Sequence, residues 1–287
     1  MKVIMVPVSN RPESKTALQV SFDLAARLNA NIVACHMRPH RSIDKDYKPT
    51  GLPLFGSANR QWLDELNTKS SKSAAHEAKQ AFTEVAQRFD FKISQRAGGI
   101  AGGSAQWQEK VGSPDRLMAI LGPVADLSVT SRPATSGNVG RMFLLSALMH
   151  TGRPVLVLPP KLAKAPGRRV TIAWNQSPEV CQIVSSCMPI LQGADSVNIV
   201  ACGRQDGLGP KASQLKGYLK NWGVTANVLT TRGKDEEAEL MKAYRETKSD
   251  LLMMGAYSRS RFREVVFGGM TEFMLWRARI PVIIQHS

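Results

Sequence analysis

The sequence predicts an α/β protein of two tandem, doubly wound domains, each built on a five-stranded parallel sheet, and three observations carry that expectation. The pentapeptide NIVAC is written twice, from Asn31 to Cys35 and from Asn198 to Cys202. Three further blocks recur around it in the same order: VIMVPVSNRPES against RVTIAWNQSPEV, DLSVTSRP against DLLMMGAY, and RPVLVLP against IPVIIQH. Four blocks in one order are the mark of an internal duplication, and 287 residues accommodate two units of about 100 to 200 residues each.

Each recurring block is a short, β-branched, nearly continuous apolar run, the pattern of a strand covered on both faces. In the first half these runs predict strands at 3–8, 31–37, 91–97, 127–131 and 155–159, and in the second half at 170–174, 197–202, 226–231, 251–255 and 282–286. Helical patterns fill the gaps. SPEVCQIVSSCMPIL places Ser177 as an N-cap and Pro178 at the first helical position. The first half is longer between NIVAC and its DL block, where a polar loop, RSIDKDYKPTGLPLFGSANR, leads into a helix expected over about 62–89. The run AGGIAGGSAQ lacks both the GxGxxG spacing and the lysine of a P-loop, and reads as a flexible loop. The short basic segment KLAKAPGRR is the expected linker, giving domains at 1–163 and 168–287.

Composition narrows the function classes. Hydrophobic residues make up 43% and charged residues 21%, and no run of about 18 apolar residues is present to span a bilayer. The opening MKVIMVPVSNRPES is too short and too soon broken by Pro7 for a secretory signal, so the expected compartment is the cytoplasm. Cys35, Cys181, Cys187 and Cys202 form no CxxC pair and read as free thiols, and Pro39 prevents a helix that would join His36 and His40 in a metal site. The net charge of +15 fits an anionic partner or plain solubility, but no reading helix or aromatic strand pair points to nucleic acid.

In open parallel sheets ligands bind beyond the carboxyl ends of the strands, where strand order reverses. The fourth strand of the second half runs into MMGAYSRSRFREVVFGGMTEFML, whose glycines let a backbone approach an anion ahead of a helix start. At these residues the chain resembles the universal stress protein family in its tandem form, which implies an adenine nucleotide alpha hydrolase-like fold. ATP-binding members of that family carry a G-x2-G-x9-G-[S/T] loop. Gly255 and Gly268 match its first and third glycines, Ser258 stands in for the second, Gly269 replaces the hydroxyl residue, and Thr271 remains. Asn175 stands where the family has an adenosine-binding aspartate, beside Trp174. The resemblance thus implies a binding set of Ala173, Trp174, Asn175, Val200, Met254, Gly255, Ser258, Gly268, Gly269 and Thr271 for ATP, ADP or AMP, with Mg as an optional companion of the phosphates. Arg259, Arg261 and Arg263 read either as further phosphate contacts or as a solvated basic loop.

The first half departs further: Ser9 replaces the aspartate, and DLSVTSRPATSGNVG keeps neither the leading glycine nor the spaced pair, so that half is expected not to bind. No paired carboxylates and no Ser-His-Asp or Cys-His set appears, so at most slow, incidental ATP hydrolysis is expected. Two readings remain open at this point. One is a stress-response protein that binds an adenine nucleotide weakly in the second domain and engages an unidentified protein partner in a ligand-dependent way. The other is a nucleotide-independent interaction scaffold. In both, the family's habit of pairing through the last strand of the sheet implies intrachain pairing of the two domains through VLVLP and VIIQH, with a further homodimer possible.

Overall fold

The computed structural model describes residues 1–38, 70–96, 98–133, 138–203, 205, 208–233, 235–256 and 269–286. These fall into two compact units, Met1–Ala165 and Pro166–Ser287.

In the first unit, strands β1 (Val3–Val8), β2 (Asn31–Arg38), β3 (Lys92–Ile93), β4 (Ser104–Val111), β5 (Leu127–Ser131) and β6 (Val155–Leu158) alternate with helices α1 (Pro12–Leu28), α2 (Ser70–Arg88), α3 (Pro114–Leu121) and α4 (Asn138–His150). The strand order is β3-β4-β2-β1-β5-β6, and every pair is parallel. Helix α1 buries Leu18, Phe22 and Ala25 on one face, and the Phe22 ring meets Phe82 of α2 at 6.0 Å and Phe91 edge-on at 5.0 Å. The part of the expected 62–89 helix before Ser70 lies outside the described residues, as does His40.

The second unit repeats the plan with β7 (Arg169–Ala173), β8 (Ser196–Cys202), β9 (Ala226–Thr231), β10 (Leu251–Gly255) and β11 (Val282–Gln285), ordered β11-β10-β7-β8-β9 and all parallel. Its helices are α5 (Pro178–Ser186), α6 (Met188–Gln192), α7 (Ala212–Asn221), α8 (Glu236–Glu246) and α9 (Gly269–Trp276). The predicted cap is in place: Ser177 Oγ accepts from Val180 N at 3.3 Å, with Pro178 opening α5. Among the described residues no helix is long and apolar enough to cross a membrane.

The duplicated blocks share hydrogen bonds that their apolar character conceals. Asp126 accepts from the backbone N–H groups of Lys2 and Val3, fastening the start of β1. Asp250 does the same for β7, accepting from Gly167 N at 2.9 Å, Arg169 N at 3.0 Å and Arg168 N at 3.2 Å. Each unit therefore ties its first strand to the neighbour on one side, β1 to β5 and β7 to β10, through an aspartate that charges the hydrogen bonds it accepts.

One strand sits elsewhere than expected. The third long strand of the first unit is β4, at Ser104–Val111, while only Lys92 and Ile93 of the 91–97 run form a strand. The glycine run lies between them, and two of its glycines, Gly98 and Gly102, are closely packed. A Cβ on Gly98 would stand 2.0 Å from Ser104 Oγ, and one on Gly102, whose φ is +74, would stand 2.6 Å from the Asn29 carbonyl. Asn31 holds the run by donating to Gly99 O at 2.8 Å and accepting from Ser104 N at 3.2 Å, and Lys2 Nζ donates to Ile100 O at 3.0 Å. These glycines lie by the start of β2, at the end of the sheet remote from the carboxyl ends where ligands bind.

Candidate functional site

In the second unit β7, β8 and β9 run outward one way from the centre of the sheet, and β10 and β11 the other. Strand order therefore reverses between β7 and β10, and a cavity of about 520 Å³ opens at their carboxyl ends. Its wall brings together Ala173, Trp174, Asn175, Val200, Met254, Gly255, Gly269 and Thr271 of the expected set. Ser258 and Gly268, like Arg259, Arg261 and Arg263, lie outside the described residues. Gln176, Cys202, Gln205, Glu236, Leu240 and Met270 complete the lining.

Each wall follows from its element. Trp174 continues β7, its N–H donating to Val200 O at 2.8 Å. Its side chain is only 4% exposed, and Nε1 donates to Pro210 O at 2.9 Å, so the indole is fixed by the loop that follows β8. Asn175 is exposed, and its Oδ1 accepts from Ser177 N at 3.2 Å, a local turn that leads into α5. Gln176 takes a left-handed backbone, φ 63, and donates from Nε2 to Gly209 O at 2.7 Å. The lip of the cavity is thus braced by two bonds to the 209–210 loop.

Gly255, the last residue of β10, is held for packing. A Cβ there would stand 2.8 Å from Glu179 Cβ and 2.9 Å from Val180 N. Absence of a side chain lets α5 lie directly on the end of β10, whatever else that backbone meets. Across the cavity, Gly269 and Thr271 sit in the first turn of α9, with Thr271 1% exposed. A helix start carries unpaired N–H groups and the positive end of its dipole.

The lining residues beyond the expected set come from β8 and α8. Asp235 caps α8 by accepting from Ala238 N at 3.0 Å, and Glu236, Glu237 and Glu239 follow in its first turn. Burial pushes the Cys202 thiol up, and the Glu236 and Glu239 carboxylates add to that against an opposing hydrogen bond with Thr231. A helix signature, an N-cap aspartate ahead of a run of glutamates in KDEEAEL, marked this turn in the sequence. Among the described residues no group of three His, Cys, Asp or Glu side chains is placed to hold a metal.

The first unit differs at the corresponding place. Ser131 ends β5 where Gly255 ends β10, because Arg132 N bonds to Leu158 O as Ala256 N bonds to Gln285 O. Between Ser9 and Ser131 a crevice of about 40 Å³ remains among the described residues. Ser9 is also drawn inward, its N–H donating to Ser14 Oγ at 3.1 Å and its hydroxyl meeting the same oxygen at 3.0 Å. Arg132, where the second unit has alanine, is a buried guanidinium whose burial lowers its pKa to about 10.

Residues 203–286 match the model of the universal stress protein family. A universal stress protein from Archaeoglobus fulgidus is similar in structure, with a TM-score of 0.67 at 14% identity, over 99% of this chain and 96% of its own. A functionally unknown protein from Pseudomonas aeruginosa PAO1 is similar with a TM-score of 0.53 at 12% identity, over 100% of this chain and 92% of its own. A protein from Pseudomonas aeruginosa UCBPP-PA14 assigned to the universal stress protein family has a TM-score of 0.55 at 13% identity, over 100% and 93%. At these identities the likeness is one of fold, and it extends over both units. No curated protein sequence matches the chain.

Proposed function

We propose, for a chain whose residues 203–286 belong to the universal stress protein family, that the second unit binds an adenine nucleotide in the cavity between β7 and β10. The protein then acts in a stress response by engaging a protein partner according to whether that cavity is filled. The observation that supports this reading is the convergence of eight expected residues, from three strands and one helix start, on one cavity of about 520 Å³. Ligand pockets commonly span about 300 to 1,000 Å³, with mostly apolar walls and a few polar groups. Here Val200, Leu240, Met254 and Met270 supply apolar wall, while Asn175, Gln176 and Gln205 offer amides that both donate and accept. The indole of Trp174, locked by its bond to Pro210 O, lines the cavity as a fixed aromatic group.

In this reading the first unit carries no nucleotide, and its role is structural. Its crevice beside Ser131 is about 40 Å³ and a second hollow between Ser9 and α2 about 190 Å³, both smaller than the cavity of the second unit, and Ser9 is engaged with Ser14. Asn175 carries no charge where the family has an aspartate, so the hydrogen bond to the adenosine part is neutral and the affinity modest.

Titration of AMP, ADP and ATP into the full chain, followed by tryptophan fluorescence and melting temperature, tests the proposal. Ligand at a hundredfold excess over its dissociation constant stabilises by about 2.7 kcal/mol. The expected fluorescence change is lost in Trp174→Phe. Absence of any stabilisation up to millimolar concentrations would leave the nucleotide-independent scaffold as the better reading.

A further inference from the structure

We infer that the first turn of α8 sets the charge preference of this cavity, favouring the least charged adenine nucleotide, the monophosphate, and turning away the free triphosphate. The inference rests on the adenine reading above and narrows its ligand class.

Two carboxylates of one helical turn extend in two directions. Glu236 lines the cavity itself, and its Oε1 lies 3.6 Å from where a Cβ on Gly203, the residue after β8, would stand. Glu237 Oε1 lies 3.8 Å from the corresponding point on Gly269, the first residue of α9. The start of α9 is where the positive dipole end would receive a phosphate. A carboxylate therefore stands beside the place that an anionic group would take.

The local field is already felt inside the cavity. The Cys202 thiol, on the wall, is pushed up first by burial, held back by a hydrogen bond with Thr231, and raised in lesser part by Glu236 and Glu239. Acidic residues also stabilise their own helix start, and Asp235 serves as its cap. That accounts for acids in this turn, but not for two of them extending to β8 and to α9. At separations of about 5 Å and an effective dielectric near 20, each carboxylate weakens a nearby unit negative charge by roughly tenfold once solvent screening is included.

Two measurements on the full chain decide the matter. In the first, AMP and ATP are titrated in the presence of EDTA into wild type, Glu236→Gln and Glu237→Gln. Wild type is expected to bind AMP more tightly than ATP, and Glu237→Gln to tighten ATP about tenfold and AMP by less. Equal ATP affinity in wild type and Glu237→Gln, or ATP tighter than AMP in wild type, overturns the inference. The second reads the field without any nucleotide, as the alkylation rate of Cys202 by anionic iodoacetate relative to neutral iodoacetamide, followed on the Cys202 peptide. That ratio is expected to rise about tenfold in the double Gln variant, and an unchanged ratio refutes the charge gate. A raised ratio with no binding of AMP or ATP to any variant sinks the adenine reading and leaves the exclusion of anions standing.

Discussion

Gly255→Ala separates a packing role from a ligand role at the end of β10. The added methyl would stand 2.8 Å from Glu179 Cβ, 2.9 Å from Val180 N and 3.2 Å from Ser177 Oγ. None of these is the far end of a flexible side chain, so α5 has to move off the strand. Overpacking of this kind costs about 1–3 kcal/mol. Displacing the Ser177 cap from Val180 adds about 1 kcal/mol. The sum, about 2–4 kcal/mol, corresponds to a fall in melting temperature on the order of 10 °C for a unit of this size. Thermal unfolding measures the loss. Hydrogen exchange locates it, with amides of β10 and α5 exchanging faster and those of β1 and α1 unchanged. The control Ser177→Ala should lose only the cap, about 1 kcal/mol. A Gly255→Ala protein that melts within about 2 °C of wild type but binds nucleotide more weakly would refute the steric reasoning and assign Gly255 to the ligand.

Asp126→Asn should cost about 1.5–3 kcal/mol, the value of hydrogen bonds to a charged acceptor, and urea unfolding at neutral pH would measure it. Burial raises the Asp126 carboxyl, but the N–H groups of Lys2 and Val3 and the nearby positive charges outweigh that and hold it below its usual value. A carboxyl depressed in the folded state contributes stability above its unfolded pKa of about 3.9 and loses it as pH falls through the lower folded value. The acid limb of the stability curve should therefore flatten in Asp126→Asn, and an unchanged limb would contradict the assignment. Gly102→Ala and Gly152→Ala form a matched pair, since both glycines have positive φ, +74 and +60, but only Gly102 faces a wall, the Asn29 carbonyl at 2.6 Å. Gly152→Ala should cost about 1 kcal/mol for backbone conformation alone, and Gly102→Ala more by about 1–3 kcal/mol. Equal denaturation midpoints for the two variants would show that the glycine run yields.

The repeated strands could be read in the sequence because both faces of a central parallel strand are buried, which restricts them to small and β-branched apolar residues. Ile4, Ile32, Val170 and Ile199 obey that restriction, each no more than 1% exposed. What the apolar pattern did not carry was polar work at the strand starts, where Asn31, Asp126 and Asp250 make long-range bonds to backbone that no local spacing reveals. Strand β4 escaped for a related reason. Its SAQWQEKV run ends exposed, and the glycines before it suggested a loose loop, whereas their missing side chains admit Asn29 and Ser104. At the cavity, the residues taken from the family's pattern came from β7, β8, β10 and α9. Glu236 and Leu240 were overlooked because α8 meets that cavity only through the tertiary fold, even though its cap was visible in the sequence.

The two aspartate fastenings sit at the opposite end of each sheet from the lip of the cavity. Rewriting the lip therefore leaves the anchorage of the strands intact. A duplicated chain arranged in this way can let one copy fall silent, or retune the other for a new small molecule, without asking either to relearn how to fold.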